Sequence, residues 1–210
     1  MKKINGILCV VIVILIMPYS SWASTLISVP FTSQAPLGNW AQPWQDFCEE
    51  ASVVMAVHFV WGAALTSKLA EMEMQIIKQY QQIVFKKYKD TSAGETASIL
   101  TNLFGFKNIR TQIIRSGDEI KKELTTGNIV IAPTAGRMLK NPNFTPPGPL
   151  YHMLVIRGFD DERGTFTTND PGTRRGNGFV YPQSRLFDAI HDWNGGDIVN
   201  GAKKIIVIGK

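Results

Sequence analysis

Histidine occurs three times in these 210 residues and cysteine only twice. The histidines, at 58, 152 and 191, lie far apart and no compact ligand spacing joins them to a cysteine, so neither a metal nor another cofactor is expected. Long apolar runs are also missing. The longest candidate, ILCVVIVILIM at residues 7–17, has 11 residues, where a membrane-spanning helix needs about 20. No fixed-period repeat is present, and charge of one sign is only mildly in excess, with 22 Lys and Arg against 17 Asp and Glu. That excess gives no reason to expect nucleic acid as a partner.

The short apolar run has a different use. Preceded by MKK and followed by PYSSWA, with small residues at Ser21 and Ala23, it reads as an export signal cleaved after Ala23. Residues 1–23 would then be a signal peptide and 24–210 a single domain, secreted or held in the cell envelope, with no stable membrane insertion once the signal is gone. Loss of Lys2 and Lys3 lowers the formal net charge from +5 to +3. Cys9 leaves with the signal, so Cys48 is the one cysteine of the mature chain. It cannot pair internally, and an unpaired cysteine in an exported protein is either reactive or deeply buried.

Apolar residues on nearly every side of 47–61 predict a buried helix ended by Gly62. Apolar residues at three-to-four spacing predict a second helix over 67–88. Further helices are expected at 94–104, at 117–126 behind a capping box of Ser116 and Glu119, and at 184–193. Strands are expected at 26–31, 109–114, 129–133, 152–159, 165–170 and 204–208. Helices early and strands late make an α+β chain, with helices packed on one side of an antiparallel sheet.

Cys48 stands where the polar, aromatic loop APLGNWAQPWQD gives way to the first helix. The free N–H groups of a first helical turn favour a thiolate there, while Glu49 and Glu50 oppose it by like charge. A thiol nucleophile needs a base. His58 lies ten residues along the same helix, about 15 Å away, and His191, on a short amphipathic helix, is expected at the surface. His152 opens the apolar strand HMLVI after a Pro-Gly-Pro loop. A turn centred near Asp161 would set Asp170 directly opposite His152, within reach of the imidazole; a slip of one residue would substitute Asn169. Oxyanion donors could be the Cys48 backbone N–H with a side-chain amide from Gln34, Gln42 or Gln45. Trp40 and Trp44 are expected to pin their loop, and the loop 141–149 to wall a cleft.

VPFTSQ, the aromatic loop, CEEAS-x-x-M-A, YHMLVIRGFDD and NDPG, in that order, resemble the papain-like bacterial cysteine peptidases of the C39-like family, related to the domains that cleave double-glycine leaders from bacteriocin precursors. The resemblance runs over residues 29–172. It implies a papain-like fold with a buried N-terminal helix carrying the cysteine against an antiparallel sheet. It also implies Cys48 as nucleophile, His152 as general base and acid, Asp170 as orienting group and Gln34 as oxyanion donor. Many relatives place a glutamine six residues before the cysteine, which is Gln42 here, and follow the cysteine with glycine, where this chain has Glu49. The expected activity is a secreted thiol peptidase acting on peptides or proteins through an acyl-enzyme. The alternatives are a cell-wall peptide amidase or acyl transferase using the same site, and a peptide-binding module whose chemistry has lapsed.

Overall fold

The computed structural model describes residues 23–210; the expected signal, with Cys9, lies outside the described residues except for Ala23. Seven strands form one antiparallel sheet: β1 (Ser24–Leu26), β2 (Ile109–Ile113), β3 (Ile129–Ala135), β4 (Tyr151–Asp160), β5 (Thr165–Asn169), β6 (Asn177–Pro182) and β7 (Lys204–Ile208). Their order is β2-β7-β3-β4-β5-β6, with β1 pairing the far end of β4. Five helices accompany it: α1 (Cys48–Trp61), α2 (Ser67–Val84), α3 (Ala93–Ser98), α4 (Gly117–Thr125) and α5 (Gln183–Ala189).

The central strands β3 and β4 are buried along most of their length, and alternation sends their side chains to two different cores. Ile129, Ile131, Met153, Val155, Ile206 and Ile208 pack with α1, α2 and α3. Val130, Ala132, Leu154, Ile156, Ile205 and Val207 pack with Ile120 and Leu124 of α4 and Leu186 and Ala189 of α5. Helices therefore cover both faces, not one. The continuous apolar runs of β3 and β4 already carried that information, because a one-sided sheet would alternate apolar with polar.

Helix α1 is apolar all round because it is covered all round: every residue from 48 to 59 is buried. It ends where expected, at Gly62, whose φ of 64° is the left-handed conformation that favours glycine. Other expectations shift for identifiable reasons. The first strand stops at Leu26; Pro30 has no N–H to continue a ladder, and the carbonyls of Val29 and Pro30 instead accept from the Asn169 side chain. The third helix becomes a short α3 followed by a π-helical turn at Ile99–Leu103. Its capping box is Ser92 with Glu95, whereas the Ser116 side chain makes no cap bond and Glu119 accepts from the Arg115 N–H. Strand β6 was not expected, since Gly178 and Pro182 mask its pattern; it lies at the sheet edge, where proline is tolerated. Among the described residues no helix is long and apolar enough to cross a membrane.

Candidate active site

Cys48 is the first residue of α1, following a 3-10 turn at Trp44–Asp46. Cys48 is 7 % exposed and lines a cavity of about 550 Å³. The thiol donates a 3.0 Å hydrogen bond to Glu49 Oε2, and Glu49 Oε1 accepts from the Thr91 N–H at 3.1 Å. Burial is the main influence pushing the thiol pKa well up, and the neighbouring Glu49 charge adds to it; the Met153 backbone N–H works the other way. Burial likewise lifts the Glu49 carboxyl to about 7, against the pull of its bond from Cys48. Glu50 is fully buried with neither oxygen hydrogen-bonded, and burial together with the Glu49 charge raises its pKa too. The sulfur thus sits at a helix N-terminus that favours an anion, among carboxyls that do not.

His152, the second residue of β4, lines the same cavity as Cys48, together with Gln34, Trp40, Gln45, Phe144, Pro149, Gly172 and Trp193. Its Nε2 is 2.8 Å from Asp170 Oδ1. Asp170 is fully buried, and its other donors are the Gly172 N–H on Oδ1 and, on Oδ2, Asn141 Nδ2 and the Tyr181 hydroxyl. Burial would raise this carboxyl, but the His152 partner and the surrounding donors outweigh it and leave the pKa lowered. An ionised carboxylate only accepts, so the His152 proton is on Nε2 and Nδ1 is left with a lone pair.

The expected contact between His152 and Asp170 is present, but not through the expected register. Asn169 pairs with Val155, and a bulge between Ile156 and Gly158 displaces the ladder; Asp170 lies just past β5 and reaches back toward His152. The one-residue alternative does not touch the ring: Asn169 Oδ1 accepts from Arg157 Nε at 2.9 Å. Gly172 is required beside the imidazole, since a Cβ there would come within 2.9 Å of His152 Cε1 and 2.8 Å of Phe144 Cε1.

The glutamines separate clearly. Gln34 is 5 % exposed, lines the cavity, and its side-chain amide makes no hydrogen bond among the described residues. Gln45 lines the cavity but is exposed, and Gln42 is exposed and outside it. Trp40 is cleft wall, while Trp44 is buried edge-on to Phe47 and pins the loop. The loop after β3 contributes Phe144, Thr145 and Pro149 to the wall.

The other two histidines stand apart. His58 is buried against Glu73 of α2, with Nε2 at 3.0 Å. His191, expected at the surface, is buried: after Ala189 the chain straightens to bridge β3, and Nδ1 lies 2.9 Å from the Gly201 carbonyl. Among the described residues, no group of three His, Cys, Asp or Glu side chains could hold a metal.

The model of the peptidase C39 like family matches residues 26–194. The chain belongs to that family. A crystal structure of a candidate C39-like peptidase from Bacillus anthracis superposes with a TM-score of 0.59 at 16 % identity, covering 90 % of this chain and 98 % of the other. At that identity the likeness speaks for the fold, which is that of a C39-like peptidase. No curated protein matches the chain. Membership in the family points to a cysteine-type peptidase with peptide substrates.

Three features of this C39-like site were not readable as site residues in the sequence. Asn141 heads the proline-rich loop and Tyr181 sits on the unexpected edge strand, so nothing local marked either as a partner of Asp170. Glu49 carried a signal, a negative charge adjoining the cysteine, but not its direct bond to the thiol.

Proposed function

We propose that the protein is an exported thiol peptidase in which Cys48, His152 and Asp170 act together, residues 1–23 serving as the export signal. His152 Nδ1 takes the proton from Cys48 Sγ, and the sulfur attacks the peptide carbonyl carbon. The charge that develops on the carbonyl oxygen is met by the Gln34 side-chain amide and the Cys48 N–H, a first-turn donor without an intrahelical acceptor. Collapse of the tetrahedral intermediate expels the amine, which leaves with the proton from His152. Water then gives a proton back to His152 as its oxygen attacks the thioester, and release of the acid restores the thiol. Asp170 holds Nε2–H throughout and stabilises the imidazolium.

The observation that carries this reading is one cavity walled by Cys48, His152 and an unpartnered Gln34, with His152 tied to a buried carboxylate from behind. Incubating the protein with unfolded protein substrates and with purified peptidoglycan, beside a Cys48→Ala variant, tests it. Cleavage of the unfolded substrates should disappear in the variant. Continued cleavage by Cys48→Ala would reject the nucleophile, and release of wall peptides alone would move the substrate to the cell wall.

A further inference from the structure

Cys48 does not hydrogen-bond His152 in this structure; its thiol points its proton at Glu49. Glu49 is almost wholly buried, and its remaining oxygen is satisfied by a backbone N–H that any acceptor at that place would satisfy equally well. We propose that Glu49 is a further catalytic residue, a proton-bearing switch that decides whether Cys48 can become a thiolate. The proposal rests on the reading of Cys48 as nucleophile and adds a group that touches the reacting sulfur.

While Glu49 is ionised, moving the thiol proton to His152 Nδ1 would leave a thiolate and a carboxylate side by side at 3.0 Å in a buried setting, which strong Coulombic repulsion opposes. Once Glu49 has taken a proton from solvent, the same transfer leaves one anion. The Glu49 O–H can then turn its proton toward the sulfur and stabilise it. The balance is simple: one proton enters at Glu49, one moves from Sγ to Nδ1, and no other group changes charge.

The groups around Glu49 favour its neutral form. Asp46 precedes α1, Glu50 follows within it, Asp90 lies on the loop before α3, Tyr151 of β4 is near enough to feel its charge, and His152 lines the same cavity. Lys89, the cation beside Asp90, is engaged by Asp46. With burial added, Glu49 exchanges its proton close to neutral pH, so the switch works within the range an exported protein meets.

The test is alkylation of Cys48 by iodoacetamide from pH 5 to 9, mapped by mass spectrometry, with wild type, Glu49→Gln and Glu50→Gln. Wild type should react more slowly as pH rises through about 7, the reverse of an ordinary thiol. Glu49→Gln mimics the protonated acid and can still accept from Thr91; it should match wild type within twofold at pH 5.5 and exceed it about tenfold at pH 8, the effect of one unit in thiol pKa. Glu50→Gln, which leaves the Cys48–Glu49 bond in place, should keep the fall. A wild-type rate that climbs steadily with pH would overturn the proposal even if Glu49→Gln did not fold. So would a Glu49→Gln to wild-type ratio constant with pH, or loss of the fall in Glu50→Gln. No peptide substrate is used, so failure to hydrolyse peptides would sink the peptidase reading and leave this result standing.

Discussion

Two buried carboxyl sites adjoin one cleft, one behind His152 and one beside Cys48, and they behave in opposite ways. Behind His152, Asp170 is fully buried and takes hydrogen bonds from His152, Gly172, Asn141 and Tyr181; its pKa is lowered. Beside Cys48, Glu49 has only a thiol and one backbone N–H, Glu50 has no hydrogen bond, and both are raised. Burial pushes all three the same way. Neighbouring charge and the number of donors decide the outcome: His152 and three further donors hold the Asp170 charge, whereas Glu49 and Glu50 repel each other with few N–H or O–H groups to replace the water they lost. One wall of the cleft is therefore built to keep a charge and the other to avoid one.

The linkage signs differ accordingly. Asp170, with its lowered value, contributes stability that is present above the ordinary 3.8 and is lost as pH falls through the folded value. Glu49 and Glu50, with raised values, do the reverse: stability is full below their ordinary 4.5 and declines as pH rises, for Glu49 through about 7.

The contrast is broken most severely by Asp170→Ala, which strands four donors. Urea unfolding should show a loss of about 3–5 kcal/mol, and kcat/KM on a peptide substrate should fall by about 10²–10⁴. Gly172→Ala should come next. Its methyl group crowds the imidazole and the edge of Asp170 while leaving Asn141 and Tyr181 on Oδ2, and a shift of this kind costs activity on the order of 10²-fold with a smaller loss of stability. Retained activity would mean that ring placement is not what Asp170 secures.

On the opposite wall, Glu50→Gln should raise stability. At pH 8 the gain should be about 1–2 kcal/mol, because the amide carries no charge for burial and Glu49 to oppose, and it should shrink as pH falls toward the ordinary 4.5, where the unfolded carboxyl no longer ionises either. Unfolding midpoints at the two pH values check it, and equal gains at both would show that ionisation plays no part. Smallest of all should be Tyr181→Phe. It removes one of two donors on Asp170 Oδ2 and leaves Asn141 in place, so a loss of about 1 kcal/mol is expected in the same unfolding assay.

The candidate site was legible in the sequence where chemistry is local. Cys48 announced itself by standing at the start of an apolar helix, His152 by opening an apolar strand, and Glu49 and Glu50 by placing negative charge at the cysteine. The pairing of His152 with Asp170 was anticipated from a hairpin of perfect register, yet the bulge at Arg157 removes that register. The contact survives because Asp170 leaves the strand and Asn141, Tyr181 and Gly172 hold it from three separate segments. Those partners follow no spacing rule. The burial of His191 was equally hidden, since it depends on the chain bridging β3 after α5.

By itself the amino-acid order determined most of the elements: a helix apolar on nearly all sides, an amphipathic one after it, strands too apolar to face water, and glycines where the backbone must turn left. Those are short-range matters of sterics, hydrogen bonding and hydrophobic pattern. Tertiary structure alone decided the protonation of the cleft. A carboxyl group's charge depends on which donors and charges arrive from remote parts of the chain, and two chemically similar acids met opposite fates because His152 and three other donors converge on Asp170, while Glu50 meets the Glu49 charge and only the weak help of Gln81 and a backbone N–H.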